Sequence, residues 1–164
     1  KMHFNLNRNS TVEEIVLARK NPSKVEFDEI RDRVGFLLRR AHQVVRASLE
    51  NDPKNKLGLT ATQHSVLTII DTQDDIDQIG IARLLDLDRT TTGLAIKNLQ
   101  KNGLVTRERD PKDRRSLLIK ITPKAKRQMP GIQEWALGAH IRNVSKLTKQ
   151  EQKTLRQLLK KIAD

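Results

Sequence analysis

The sequence predicts a mainly α-helical chain interrupted by one short β-hairpin. Three observations carry that expectation. From Phe27 onward apolar residues recur at three- and four-residue steps, the spacing of one helix face. Residues suited to capping, Thr60, Asp77, Asp88 and Thr148, stand just ahead of those runs. Only around 104–106 and 116–121 do short strand-like runs appear, with a charged stretch containing Pro111 between them.

Residues 1–26 are polar, Asn5, Asn7, Asn9 and Ser10 break any period, and the segment reads as an N-terminal arm. The stripe of Phe27, Ile30, Val34, Leu37, Leu38, Ala41, Val44 and Val45 predicts one long helix. It should end before Asn51-Asp52-Pro53, because proline disfavours helix in the residue before it. Thr60 caps the next helix, which turns Val66, Leu67, Ile69 and Ile70 inward. Asp77 opens a short helix over 78–85 with Ile81, Ala82 and Leu85 inward, and Asp88 opens another through Asn102. The latter buries Thr91, Thr92, Ala95, Ile96 and Leu99, and Gly103 closes it in a left-handed conformation. A helix over 124–143 carries Met129, Ile132, Trp135, Ala136 and Ala139 on one face, and Pro130 should kink or restart it. Thr148 and Glu151 form a capping box for a last helix bearing Leu155, Leu158, Leu159 and Ile162.

Charge narrows the function. Lys and Arg number 32 against 20 Asp and Glu, a net charge of +12. Half of that excess sits in residues 107–127, where nine basic residues face three acidic ones. A field of this sign favours polyanions. The aromatic residues are Phe4, Phe27, Phe36 and Trp135, with no tyrosine, too few for the stacking platforms that hold single strands. Duplex DNA is therefore the expected polyanion. The lack of cysteine excludes disulfides and thiolate metal sites. His3, His42, His64 and His140 show no ligand spacing, so neither metal nor cofactor is expected. No apolar run approaches the roughly 20 residues that cross a bilayer, and residues 1–24 hold no secretory signal, so a cytoplasmic protein without a membrane partner is expected. Phosphate-loop, metalloprotease and nucleophile-elbow motifs are absent, and no catalytic residues are assigned: the chain is not expected to be an enzyme.

The two short helices joined by a turn at Asp86-Leu87, followed at once by an arginine-bearing hairpin, form a winged helix-turn-helix. On the second helix Arg89, Thr90, Gly93, Leu94 and Lys97 remain once the inward positions are removed, a face suited to base edges, a thymine methyl and phosphates. Gly93 costs about 1 kcal/mol of helix propensity against alanine, and close approach to a groove floor is the expected reason. Arg107, Arg109, Lys112, Asp113, Arg114 and Arg115 supply the wing.

These residues resemble the MarR family of bacterial regulators. The resemblance rests on Leu59-Thr60-Ala61-Thr62-Gln63 with Val66-Leu67, on Ile81-Ala82 and Leu85, and on the threonine-rich helix. It continues in Leu99 to Val105 and in Asp113-Arg114-Arg115 ahead of Leu117, Ile119, Ile121 and Thr122, covering about residues 27 to 163. It implies a homodimer in which 27–58 and 123–164 build a helical dimerisation lobe and 59–122 the DNA-binding lobe. It also implies a pseudo-palindromic operator with half-sites about 10 base pairs apart, with Arg115 entering the minor groove and Asp113 bracing it. Two departures stand out: His64 where the family usually has a large aromatic, and Pro130-Gly131 within the fifth helix. Many members release DNA on binding phenolic or carboxylate aromatics, and Arg39, Arg40, His42, Gln63, His64 and Trp135 are the candidates for such a small-molecule pocket. The expected function is a DNA-binding transcriptional repressor released by a small anionic aromatic. The alternatives are a winged-helix protein-interaction module and a DNA-binding protein without an effector.

Overall fold

The computed structural model describes residues 27–113 and 116–164, which divide after Ala41 into two units. The expected N-terminal arm, Arg114 and Arg115 lie outside the described residues. Helix α1 spans Phe27–Arg31 and α2 Val34–Glu50, so the single helix expected here is interrupted at Asp32 and Arg33. The Arg33 N–H reaches back only three residues, to the Ile30 carbonyl at 3.3 Å. Aspartate favours helix ends over helix interiors because its carboxylate competes for nearby backbone donors.

In the second unit the caps fall where the sequence places them. Helix α3, Ala61–Thr72, opens on a capping box in which Thr60 accepts from the Gln63 N–H and Gln63 accepts from the Thr60 N–H. Helix α4, Gln78–Leu84, is capped by Asp77, whose carboxylate accepts from the Gly80 N–H at 2.7 Å. Helix α5, Arg89–Lys101, is capped by Asp88, which accepts from the Thr91 N–H at 2.8 Å. Between α4 and α5 the chain reverses through Asp86 at φ +50°, a left-handed conformation that aspartate tolerates better than most residues. Gly103, at φ +67°, ends α5 as expected. Leu59, Leu67, Ile81, Ile96, Leu99, Leu104 and Ile119 are fully buried in one cluster. Leu85 and Thr91, expected inward, are half-buried, and the Thr91 hydroxyl donates to the Asp88 carboxylate at 2.6 Å.

The hairpin pairs β1, Val105–Arg109, antiparallel with β2, Leu117–Ile121, from Val105 opposite Ile121 to Arg109 opposite Leu117. β1 runs three residues beyond the expected Thr106. Charged residues have little strand preference, but pairing with β2 supplies their backbone partners. A third element joins the sheet: Asp77 bridges Leu118, and the Ile119 N–H donates to the Ile76 carbonyl at 2.8 Å.

Helix α6, Pro123–Val144, continues through Pro130, against the restart that the proline offered as one alternative. Proline costs a helix interior about 3 kcal/mol. Ala125 and Met129 before it and Ile132, Trp135 and Ala139 after it are all buried, and each large apolar side chain contributes about 1.5–3 kcal/mol. Burial on both sides outweighs the proline. Helix α7, Lys149–Ala163, opens on the expected Thr148–Glu151 capping box. Neither α2 nor α7 buries a residue: Leu37, Val44 and Val45 on α2 and Leu155, Leu158, Leu159 and Ile162 on α7 are exposed.

Two substitutions test this account by urea denaturation. Thr60→Ala removes a capping box and is expected to cost about 1 kcal/mol. Pro130→Ala restores a helical N–H without disturbing the buried face, and should raise stability by about 1–3 kcal/mol. A Pro130→Ala variant no more stable than the parent would contradict the continuous helix.

Candidate nucleic-acid interface

Helix α5 is two-sided. Thr92, Ala95, Ile96 and Leu99 are buried, which leaves Arg89, Thr90, Leu94 and Lys97 exposed. Leu94, mid-helix, is 59% exposed, an apolar contact with no intramolecular role. Asp88 keeps its carboxyl below the ordinary range by accepting from the Thr91 hydroxyl and backbone, so it stays anionic at the start of α5. An anion there satisfies the helix dipole, and the positive charge offered at that end comes from Arg89.

Gly93 has a neighbour within the protein that the sequence did not signal. It is half-buried, and a Cβ on it would stand 2.9 Å from Nε2 of Gln78 on α4. A close approach at Gly93 therefore exists within the protein, beside the approach to a groove floor expected from the sequence.

In the wing, Arg107 and Arg109 belong to β1 and are exposed. Alternation along a strand sends both to the same face. Beyond them the tip closes on itself. The Asp110 N–H donates to the Ser116 carbonyl at 3.1 Å, the Ser116 N–H to the Asp113 carbonyl at 2.9 Å, and the Asp110 carboxylate accepts from the Lys112 N–H at 2.7 Å. Lys112 and Asp113 are exposed there.

The basic cluster is partly neutralised. Lys120 donates to the Asp74 carbonyl and to the Asp75 carboxylate, and Lys126 lies 2.6 Å from the Asp71 carboxylate. The pair with Asp75 raises the Lys120 pKa and lowers that of Asp75. The acidic run before α4, with Asp71, Asp74, Asp75 and Asp77, gave no sequence expectation of these pairs. Its signal, several carboxylates set against several amines, was present, but the pairing spans 45 residues for Lys120 and 55 for Lys126.

The candidate pocket residues fall in both units. Arg39 and Arg40 are exposed in the first unit, where the Arg39 guanidinium lies 4.8 Å from the centroid of Phe36. In the second unit His42 is exposed and the Gln63 side chain is spent on its cap. His64 and Trp135 do meet, edge to face with centroids 5.5 Å apart, and burial lowers the His64 pKa. Trp135 also lines a cleft of about 400 Å³ between residues 54–59 and α6. Leu57, Leu59 and Ile132 form apolar wall, and Lys54 and Lys56 stand at it. Gln128 lines it too, and among the described residues neither Gln128 Oε1 nor Trp135 Nε1 has a hydrogen-bond partner. The linker residues gave no sequence signal. They are placed by Asn55, whose amide donates to the Glu50 and Leu59 carbonyls and accepts from the Leu59 N–H.

Among the described residues no group of histidine and carboxylate side chains could hold a metal ion, and no helix is long and apolar enough to cross a membrane.

Comparison with known proteins adds an independent line. The MarR family model matches residues 59–117, the span from the end of the linker through the first residue of β2. A probable transcriptional regulator from Pseudomonas aeruginosa is 32% identical, covers 81% of this chain and 98% of its own, and superposes with a TM-score of 0.75. Bordetella bronchiseptica BpsR, whose DNA binding is regulated by 6-hydroxynicotinic acid, is 27% identical over 86% of this chain and 98% of its own, with a TM-score of 0.76. A mutant of E. coli MarR complexed with operator DNA is 26% identical over 86% of this chain and all of its own, also with a TM-score of 0.76.

The lowered His64 pKa has a definite sign. As pH falls through the ordinary histidine value near 6.5, the unfolded chain takes up a proton that the folded chain refuses. The contribution of His64 is therefore whole above that value and is lost as pH drops toward the depressed native one. His64→Phe keeps a ring against Trp135 and removes the titration. Urea unfolding at stepped pH should show wild type losing stability relative to the variant only below about pH 7, whereas a pH-independent difference would refute the burial argument.

Proposed function

The chain belongs to the MarR family of DNA-binding transcription regulators, is not an enzyme, and from that premise we propose that it acts as a homodimeric cytoplasmic repressor released by a small anionic aromatic. The observation that carries the DNA contact is the exposed face of α5, with Arg89, Thr90, Leu94 and Lys97 around the half-buried Gly93, followed in the chain by a strand bearing Arg107 and Arg109. In this reading Thr90 and Leu94 read base edges and a thymine methyl, and Arg89 and Lys97 hold phosphates. In the same reading Arg115 enters the minor groove with Asp113 bracing it, and Lys112 and Arg114 add DNA contacts. The exposed apolar faces of α2 and α7 support the dimer, since scattered exposure is ordinary but a whole uncovered helix face is not. Two-fold symmetry then calls for a pseudo-palindromic operator.

The effector reading is supported by the cleft beside Trp135. An acid such as the one that regulates BpsR offers a ring for the apolar wall, polar atoms for Trp135 and Gln128, and a carboxylate for Lys54 or Lys56. His64, in edge contact with Trp135, links the cleft to α3. A tenfold loss of operator occupancy needs only about 1.4 kcal/mol of differential affinity between two states.

Selection from a randomised duplex pool tests the first reading: the chain should enrich a palindromic sequence, and enrichment of nothing over random DNA would end it. Lys97→Ala should weaken binding to all sequences alike and reduce the slope of log affinity against log salt by about one. Sedimentation showing a stable monomer at micromolar concentration would remove the dimer. For the effector, 6-hydroxynicotinate and salicylate should alter Trp135 fluorescence and release DNA, and no response at millimolar concentration would remove this ligand class.

A further inference from the structure

We propose that Gln78 is a positioning residue for the DNA-reading helix and that Gly93 is its socket. The proposal rests on the DNA-binding reading of α5. Gln78 is the first residue of α4, next to Asp77, which both caps α4 and bridges Leu118 of the wing. Its side chain crosses to α5, where Nε2 donates to the carbonyl of Arg89 at 3.0 Å. Arg89 is the first residue of α5. In a helix that carbonyl also accepts from the N–H four residues on, which belongs to Gly93, and its second lone pair is free for the glutamine.

Why residue 93 is glycine follows from the direction of Cβ. In a helix Cβ leans toward the N-terminus, over the preceding turn, so a side chain at 93 would cover the carbonyl that Gln78 reaches. The built Cβ falls 2.9 Å from Nε2, well inside the roughly 3.5 Å of an ordinary van der Waals contact. A side chain at 93 and the Gln78 amide exclude each other. The two residues form one device, and the helix cost of the glycine is the cost of that hydrogen bond.

The device acts at the end of α5 that carries Arg89 and Thr90, both exposed. Apolar packing between helices tolerates small slides, whereas a hydrogen bond weakens steeply with misalignment. The Gln78 bond thus fixes where the first turn of α5 sits relative to α4 and, through Asp77, relative to the wing. Base-edge contacts need that register. Long cationic side chains on phosphates tolerate its loss. Removal of the device should cost discrimination between sequences more than general DNA affinity or stability.

A double-mutant cycle tests this, using the duplex that the wild-type chain selects from a randomised pool and a scrambled duplex of the same composition. Gln78→Ala and Gly93→Ala should each lower the ratio of the two affinities by about tenfold, and Gln78→Ala, which lies off the α5 face, should do so with little change in affinity for the scrambled duplex. The double variant should be no worse than either single one, because each change already breaks the same bond. Gly93→Ala should unfold at the same urea concentration as wild type or higher. Additive losses, or an unchanged ratio in Gln78→Ala, would overturn the proposal. If Gly93→Ala does not fold, Gln78→Ala and Gln78→Met, which keeps the length but lacks the donor, decide the matter alone. Should the wild-type chain discriminate no duplex, the DNA reading fails, and amide exchange of Thr91, Thr92 and Gly93 judges the device itself. Faster exchange in Gln78→Ala upholds the bond, and unchanged exchange refutes it.

Discussion

Ile76, Asp77 and Gln78 hold together the parts of this molecule that must keep register. The Ile76 side chain is buried, and its carbonyl accepts from the Ile119 N–H in β2. Asp77 bridges Leu118 in the same strand and caps α4, and Gln78 reaches the first residue of α5. The wing, the first helix and the second helix are therefore referred to three consecutive residues, between which covalent geometry leaves little play. Gly80 belongs to the same arrangement. A Cβ there would stand 2.9 Å from Cγ1 of Ile76, so a second glycine leaves room for the Ile76 side chain against the first turn of α4. Apolar burial drives these elements together, and the directional bonds at residues 76–78 select one arrangement among those that burial alone would permit.

Electrostatics sorts the basic residues into two groups. Lys120 and Lys126 are engaged by the acidic run ahead of α4, where they brace the link that delivers residues 76–78 to the sheet. Arg107 and Arg109 point away on β1, and Arg89 and Lys97 lie on the open side of α5. Exposed ion pairs add little stability, so the acidic run matters more for what it removes from the field than for what it adds to the fold. Among the cations outside those pairs are Arg89 and Lys97 on α5 and Arg107 and Arg109 on the hairpin.

Burial is uneven. The large side chains of α3, α4, α5, both strands and α6 share one cluster; Leu49 at the end of α2 packs against it half-buried, and α2 and α7 hold no fully buried residue. Apolar surface stabilises only when water is removed from it, at about 25 cal/mol per Å². The exposed apolar side chains of α2 and α7 therefore add little to the stability of the lone chain. Trp135 stands at the boundary of the buried cluster. It is buried, packs against His64 and lines the cleft, so a molecule in that cleft would touch the core that carries α3.

What the sequence determined by itself is everything that depends on contacts within a few residues. Thr60, Asp77, Asp88 and Thr148 each bond a backbone N–H three residues on, and Gly103 alone accounts for its own positive φ. Helix starts, the turn between α4 and α5 and the inward faces of α3 and α5 were legible for that reason. Tertiary structure decided the rest. Pro130 reads locally as a break, and burial on both sides overrules it. β1 extends to Arg109 because β2 offers partners, which strand propensity does not register. The Gln78 amide beside Gly93, fifteen positions away in the chain, has no signal in the sequence. Local caps recur in a fixed geometry that a residue type implies, whereas a contact between distant residues exists only once the fold has brought them together.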